Sequence, residues 1–509
     1  MKLTQFPNNT YYVTCRYGEK ASVKKAGFKW DSVKKQWYSD DIYKVIEAVK
    51  SLNIQDIPDQ LKLRMDNIES SYADTPRDKN PDIRPSLFDY QKRGVEELHI
   101  RGNVLLADDP GCGKTLQVVQ YVSELPKDIK VLVICPASLK INWQREFKKW
   151  AGIESAVVAN GNQRILDIKE RVVIVNYDIL KSKLISDHIE RSSFGVLVCD
   201  EAHYIKNTKT ARSKKVKKIA QKVAKIIFIT GTPLLSRPVE LYSLLNILGS
   251  EDILKPYQNY RNFAYRFCKA YNSPWGLDVS GNSNVKELAL RMRSSCLVRR
   301  LKKQVLHQLP DRTKQIIPLA QCTKTKKIMT KQGTFHFGDV ESAAPFAQLG
   351  EIAQMRKALA LAKIKESVKY IKDLLNNTQK VVVFAHHTEV LKTLYTELTD
   401  YNPVIFTGKH GMKHRQTAVD SFQEDHETRV FIGQIQAAGT GITLTSASNV
   451  VFVEISWVPG EINQAMDRCH RIGQTNNVTA RFLVVEGSLD EQMLSAIEKK
   501  EKVIKEIID

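Results

Sequence analysis

Two series of short apolar segments, each segment followed by a helix-length stretch, constrain the fold of this chain more than anything else in it. Val104 to Ala107, Val131 to Cys135, Val172 to Val175, Val196 to Cys199 and Ile226 to Thr230 form the first series, between Ser86 and about Leu248. Val381 to Ala385, Val404 to Phe406, Val430 to Gly433, Val450 to Val453 and Phe482 to Val485 form the second. Continuous apolar runs of this length predict strands buried on both faces. Strands alternating with helices predict a parallel sheet with helices on both sides. The expected fold class is α/β, with two parallel-sheet lobes, helical insertions between them and a small α+β domain in front.

The predicted divisions are 1–75 for the small N-terminal unit and the start of a linker, 76–250 for the first lobe, 251–370 for a helical insertion and 371–509 for the second lobe. In the first unit Tyr11 to Cys15 reads as a strand, and Glu19 to Ala26 as a short helix stopped by Gly27. Phe28 to Trp30 and Gln36 to Tyr38 read as short strands around a polar turn. Asp41 is placed to cap a closing helix whose apolar positions are Ile42, Val45, Ile46 and Val49. Asp74 to Pro85 holds three prolines and many charges and reads as a linker. The stretch after Asp490 reads as a charged amphipathic helix.

The 509 residues carry a net charge of +21, and a surplus of that size favours a polyanionic partner, nucleic acid first. No apolar run approaches the ~20 residues of a membrane span, and the first residues lack the pattern of a secretion signal. Membrane partners are therefore not expected. The eight cysteines stand singly. That spacing argues against zinc and against a disulfide framework, and for a reducing compartment. Arg212 to Lys225 carries seven basic residues, and Val216, Ile219 and Val223 fall on one side of it, as in a solvated helix of the first lobe.

Three motifs sit where such sheets bind ligands. Gly111-Cys112-Gly113-Lys114-Thr115 follows the strand at Val104 and opens a helix at Leu116. Gly111 and Gly113 let the backbone curl so that its N–H groups face a phosphate, and the helix N-terminus adds a favourable dipole. Lys114 would reach the β- and γ-phosphates of ATP, and the Thr115 hydroxyl would ligate Mg2+. Cys112 and Leu116 complete the expected nucleotide-binding stretch. Asp108 stands where this type of loop usually has its first glycine. Asp200-Glu201 ends another strand: Asp200 would hold Mg2+ through water, and Glu201 would orient and deprotonate the attacking water. Thr230-Gly231-Thr232-Pro233 ends a third strand, and its hydroxyls could connect His203 to movement between the sheets. Arg468 and Arg471, three residues apart, would point from one face of a helix toward a γ-phosphate. Phosphate loop, carboxylate pair and distant arginine pair, in this order, point to a motor driven by nucleoside triphosphate.

Together these strings resemble superfamily-two helicases and, within them, the Swi/Snf-type DNA translocases. The resemblance covers about residues 86 to 500. Its most specific string is Asp467-Arg468-Cys469-His470-Arg471-Ile472-Gly473-Gln474. Asp89-Tyr90-Gln91, Cys135 to Leu139 with Trp143, Asp200 to Asn207, Val298-Arg299-Arg300 with Leu309-Pro310, and Ala438 to Leu444 support it. The resemblance implies that the two lobes are RecA-like and that Gln91 contacts adenine. It implies that Gly439 and Gly441 lie near the γ-phosphate, and that Gln464, Arg468 and Arg471 come from the second lobe. DNA would lie across both lobes, held mainly by its phosphates.

The N-terminal unit resembles the HARP-type domain of annealing helicases in Trp30-Asp31, Lys34-Lys35, Trp37 and Asp41-Ile42-Tyr43. Residues 11–50 hold nine Lys or Arg and five Asp or Glu, a net of 9 − 5 = +4. Trp30 and Trp37 could stack on exposed bases, or could form the core of a domain too small to have another. The combined expectation is an ATP-dependent enzyme that unwinds or remodels branched DNA, such as forks and Holliday junctions. It would be monomeric, and the short insertions suggest a compact enzyme of bacterial or phage-infected cytoplasm. An RNA helicase and an inactive DNA-binding scaffold are the alternatives.

Overall fold

The computed structural model describes residues 1–6, 10–69, 87–249, 254, 257, 259–274, 276–306, 308–332, 346–438 and 442–509. The linker expected over Asp74 to Pro85 lies outside them. All five strands expected in each series are present. In the first sheet the spatial order is Leu297–Val298, Val104–Leu106, Lys225–Ile229, Phe194–Asp200, Lys130–Cys135, Val172–Asn176 and Ser155–Val157, all parallel. Leu105, Leu132, Leu197 and Phe228 pack into a core on one face. Val104, Val131, Val133 and Val198 pack into a second core on the other. Two dry faces are why the segments read as unbroken apolar runs.

The second sheet runs Arg312–Leu319, Val478–Val485, Asn449–Phe452, Val381–Ala385, Val430–Gln434 and Val404–Phe406, again all parallel. Each sheet thus takes an edge strand from within residues 251–370. Leu297–Val298 extends the first lobe, and Arg312–Leu319 extends the second. The chain crosses between lobes in the few residues that separate them.

Two connections span the parts. The C-terminal helix Leu489–Ile508 starts with Leu489, Met493 and Ile497 in the second lobe's core and ends with Ile507 and Ile508 in the first lobe's core. Its first turn is fixed by the buried Lys363 ammonium, which donates to Asp490 at 2.6 Å and to the Leu483 carbonyl at 2.7 Å. At the other end, the N-terminal unit is an antiparallel sheet in the order Lys2–Gln5, Tyr11–Thr14, Gln36–Ser39, Lys29–Asp31. Asp41 caps the helix Ile42–Ser51 as expected, accepting from the Tyr43 N–H at 3.1 Å. Its carboxylate also lies 2.7 Å from the fully buried guanidinium of Arg291, on helix Val285–Ser295 of the first lobe. One carboxylate therefore closes a helix and ties the unit to the first lobe.

The two N-terminal tryptophans divide between the readings open in the sequence. Trp37 packs against the small core, whereas Trp30 is 47% exposed and meets Trp37 edge-on at 5.5 Å. Tyr11, Val13, Phe28, Val45 and Ile46 form that core instead. Helix Ala211–Ala220 buries Val216 and Ile219 in the first lobe, as its spacing predicted. No described helix is long and apolar enough to cross a membrane.

Candidate active site

The phosphate loop lies between strand Val104–Leu106 and helix Lys114–Glu124. Gly111 and Gly113 have φ of +91° and +74°, the left-handed conformations that only glycine adopts without strain. Gly113 also lacks room for a side chain, since a Cβ there would lie 2.3 Å from Gln91 Nε2. Lys114 Nζ rests on the carbonyls of Asp108 and Asp109, at 2.6 and 3.0 Å, at the mouth of the loop. Thr115 is half-buried at the helix start. Leu116 packs against the first lobe's core, and Cys112 is fully buried. Burial, followed by the charge of Asp108, pushes the Cys112 thiol up to about 12, so it is an inert packing group.

Asp108, in the place of the usual first glycine, has a structural role. Its carboxylate is fully buried and takes a bidentate grip from Arg300, with Nε at 2.8 Å and a terminal nitrogen at 2.5 Å. The same guanidinium holds Gln117 Oε1 at 2.7 Å, and Gln117 returns a bond to Asp108 at 3.0 Å. The loop is thus braced from below. Gln91 belongs to this brace: Nε2 donates to the Cys112 carbonyl at 3.2 Å, and Oε1 accepts from the Phe88 N–H at 3.1 Å.

Asp200 and Glu201 end strand Phe194–Asp200 at its C-terminal edge. Asp200 accepts from Trp143 Nε1 at 2.8 Å and from the Glu201 N–H at 2.8 Å, while the Tyr177 hydroxyl holds its carbonyl at 2.7 Å. Burial, and then the neighbouring Glu201 charge, raises Asp200 to about 6. For Glu201 burial pushes upward, but the contact with His203 and the charges of His203, Arg468 and Lys114 outweigh it and leave it below the ordinary carboxylate value. Glu201 has φ +49°, a strained backbone conformation for a residue other than glycine. His203 Nδ1 stands 3.2 Å from Glu201 and 3.4 Å from the Thr230 hydroxyl.

The second lobe meets this edge directly. Gln464 Nε2 donates to Thr232 Oγ1 at 2.6 Å, joining helix Pro459–Met466 to the Thr230–Pro233 turn. A Cβ on Gly111 would lie 3.6 Å from Arg471 Cγ and 3.9 Å from its Cα, so Arg471 abuts the phosphate loop across the cleft. Its Nε donates to the Asp467 carbonyl at 3.0 Å. Arg468 is buried, with Nε on the Gln464 carbonyl at 3.1 Å. Burial, and then the charge of Arg471, holds Arg468 well below the ordinary arginine value. Two crowded cations, Arg468 buried and Arg471 half-buried, favour an anion between them and the loop.

The sequence reading put both arginines on a helix. The helix in fact ends at Met466, and tight turns follow, with Arg468 N–H on the Ala465 carbonyl and His470 N–H on that of Met466. Turns this tight keep the three-residue spacing on one side. Gly439 and Gly441 lie outside the described residues. Trp143, Tyr177, Arg300 and Lys302 had no assigned role in the sequence. For Trp143 the signal was a tryptophan shortly after a strand end; for Lys302 there was none.

The donor set fits a hydrated divalent cation. It offers one buried carboxylate, a helix-start hydroxyl and a loop shaped for phosphate. Among the described residues no group of three or more His, Cys, Asp or Glu side chains could hold a metal. A cation here would draw its remaining ligands from phosphate and water.

Residues 90–382 match the SNF2-related domain, and 363–473 match the helicase conserved C-terminal domain. The chain is 32% identical over 506 residues to the SWI/SNF-related matrix-associated actin-dependent regulator of chromatin subfamily A-like protein 1 of Xenopus tropicalis, covering 93% of this chain and 52% of that one. It is 34% identical over 439 residues to the human DNA annealing helicase and endonuclease ZRANB3, covering 83% and 40%. With the Caenorhabditis elegans homolog of the first protein it shares 30% identity over 509 residues, covering 94% and 71%. The chain thus spans about half the length of the first of these relatives. Among solved structures, the SWI2/SNF2 ATPase core of Sulfolobus solfataricus in complex with dsDNA matches at TM-score 0.40 and 24% identity, over 86% of this chain and 95% of that one. The expectation of a bacterial or phage enzyme in the cytoplasm is overturned by these relatives, which are frog, human and nematode proteins.

Proposed function

The chain belongs to the SNF2-related family, and from that premise we propose that it is a DNA-dependent ATPase that translocates on duplex DNA and remodels branched structures, as a monomer. The observation that carries the reading is the closed cleft. Arg471 of the second lobe stands against Gly111 of the phosphate loop, and Gln464 is bonded to Thr232. A site assembled from two lobes couples hydrolysis to their relative movement, which is what a translocating motor needs.

In this reading Lys114 leaves its loop carbonyls to neutralise the β- and γ-phosphates of ATP. Thr115 and Asp200 would hold Mg2+, which supplies further neutralisation of phosphate charge. Glu201, kept ionised beside His203, takes the proton of the attacking water. Arg468 and Arg471 meet the charge that builds on the γ-phosphate in the transition state. Gln91 acts at the adenine end of the site from its position under the loop, and Gly439 and Gly441 act near the γ-phosphate. DNA phosphates bind across both lobes, in keeping with the charge of +21. The named activity of the human relative, DNA annealing helicase, supports a branched substrate.

The test is ATP hydrolysis measured with plain duplex, fork, four-way junction and RNA side by side. Stimulation by the DNA substrates, strongest for processing of fork and junction, is expected. Lys114→Ala should abolish turnover and keep DNA binding. Stimulation by RNA alone would overturn the proposal.

A further inference from the structure

Residues 299–302 connect the phosphate loop to the arginine turn. They follow strand Leu297–Val298, which runs beside the strand that leads into the loop. Arg300 clamps Asp108, the Arg299 guanidinium lies 2.9 Å from Asp109, and the Lys302 N–H donates to Asp109 at 3.0 Å. The backbone of Lys302 is therefore part of the first lobe's loop.

Its side chain is not. It passes Gly111, with Cε 3.5 Å from where a Cβ would stand, and its ammonium donates to Asp467 at 2.6 Å and to the His470 carbonyl at 2.7 Å. Both acceptors lie in the turn that carries Arg468 and Arg471, and both bonds are buried. Asp467 has a second partner inside its own lobe, Arg312 at 3.0 Å. It keeps that partner when Lys302 withdraws. The ammonium, by contrast, makes both bonds across the cleft. An ion pair placed this way adds less to the fold of either lobe than to the distance between them.

We propose that Lys302 is a positioning residue, a latch across the cleft that holds the Arg468–Arg471 turn in register with the phosphate loop. The inference rests on the ATPase reading above and adds to it the group that sets the closed geometry. When the lobes part, both bonds break together and the arginines leave the γ-phosphate site. When ATP draws the lobes in, the ammonium finds a carboxylate and a carbonyl already held for it by Arg312 and the turn. Lys302 touches no reacting atom in this scheme and acts through Arg471.

The test uses the full chain with donor and acceptor dyes on Cys15 and Cys322, the two cysteines that are not buried. Cys15 rides with the first lobe through the docked N-terminal unit, and Cys322 follows the second lobe's edge strand. Energy transfer is read with magnesium and a non-hydrolysable ATP analogue, and turnover with ATP on saturating duplex. Lys302→Met should lower the closed fraction and reduce kcat about tenfold or more, with KM for ATP held within about threefold. Lys302→Arg, whose guanidinium can still reach both acceptors, should recover most of the closure. Asp467→Asn, which also gives up the Arg312 pair, should lose at least as much closure as Lys302→Met, and the double variant should be no worse than Asp467→Asn alone. Unchanged closure and turnover in Lys302→Met would overturn the proposal. So would additive losses, or a loss carried by KM with closure intact. A wild-type protein that closes on the analogue but does not hydrolyse ATP would defeat the ATPase reading instead, and energy transfer in the variants would still decide the latch.

Discussion

Asp200 and Glu201 are neighbours in the chain, and the fold shifts their proton affinities in opposite directions. The folded protein raises Asp200 from 3.8 to about 6 and lowers Glu201 from 4.5. For Asp200 the sign is that of a group whose folded pKa lies above its unfolded one. Its contribution to stability is complete below about pH 4 and is lost as pH rises through about 6. Glu201 runs the other way, favourable at neutral pH and lost on acidification through its lowered folded value. A proton on Asp200 also competes with the metal. The magnesium concentration giving half-maximal hydrolysis should therefore rise roughly tenfold for each pH unit below about 6. A titration series from about pH 5 to 8 reads this, and a flat dependence would contradict the assignment of Asp200. At Arg471 the expectation concerns rate rather than binding. Arg471→Ala should lower turnover ~10³-fold or more and retain affinity for a fluorescent ATP analogue, because the loop that holds the phosphates is in the other lobe. Most of these groups were legible in the sequence, since each lies at a strand or helix end with a short local signature. Asp108 was legible only as a departure. Its explanation, Arg300, is 192 residues away.

The strands were legible wherever both faces are dry, and the elements that went unread have identifiable reasons. Arg312–Leu319 is an edge strand, exposed along most of its length, and it contains Pro318. It pairs residue for residue with Val478–Val485, yet it shows neither an apolar run nor alternation. Charged residues and proline suit an edge, where further pairing is unwanted, and they hide the strand from a hydrophobic reading. Leu297–Val298 is two residues long and borrows its identity from Val104–Leu106. The C-terminal helix was legible as a helix, but its bridging role depends on which core each end enters. That role makes a prediction. Ile508→Ala removes a side chain that is 1% exposed, from a helix anchored in the other lobe. It should cost about 2–5 kcal/mol and lower the melting temperature. The loss should fall on the first lobe, read as faster amide exchange along Phe194–Asp200 and Lys225–Ile229 than along Val381–Ala385. Equal acceleration in both sheets would mean that the helix end packs without linking.

At the scale of the whole molecule, the N-terminal unit is fixed to the first lobe by a contact that the sequence could not show. Its basic and aromatic composition suggested a DNA surface, and the proline-rich stretch after it suggested a unit joined to the rest by a linker. Instead, Asp41 pairs with Arg291, a guanidinium with no exposed surface, and Glu287 supplies the other carboxylate. Deleting residues 1–69 would remove Asp41 and uncover this face of helix Val285–Ser295, where Arg291 keeps Glu287 at 2.8 Å but Leu290 loses the apolar core it packs against. The deletion should therefore lower the melting temperature and the DNA-stimulated ATPase together, whatever the unit does with DNA. Adding Leu290→Gln to the deleted protein removes an apolar side chain that the unit had covered. Stability and duplex-stimulated hydrolysis should then return toward those of the full chain. What stays lost in the repaired protein is what the unit does with DNA. Trp30, exposed beside a rim of lysines, is placed to meet bases or phosphates at a junction. Fork and four-way-junction processing should remain weak in the repaired protein while duplex translocation recovers. The gap between full and repaired protein should narrow as salt rises, because phosphate contacts release counterions. Trp30→Ala in the full chain should reproduce that gap with only the small fall in melting temperature that loss of its edge contact with Trp37 implies. If the repaired protein processed forks as well as the full chain, the unit would be a structural buttress whose exposed tryptophan serves some other purpose.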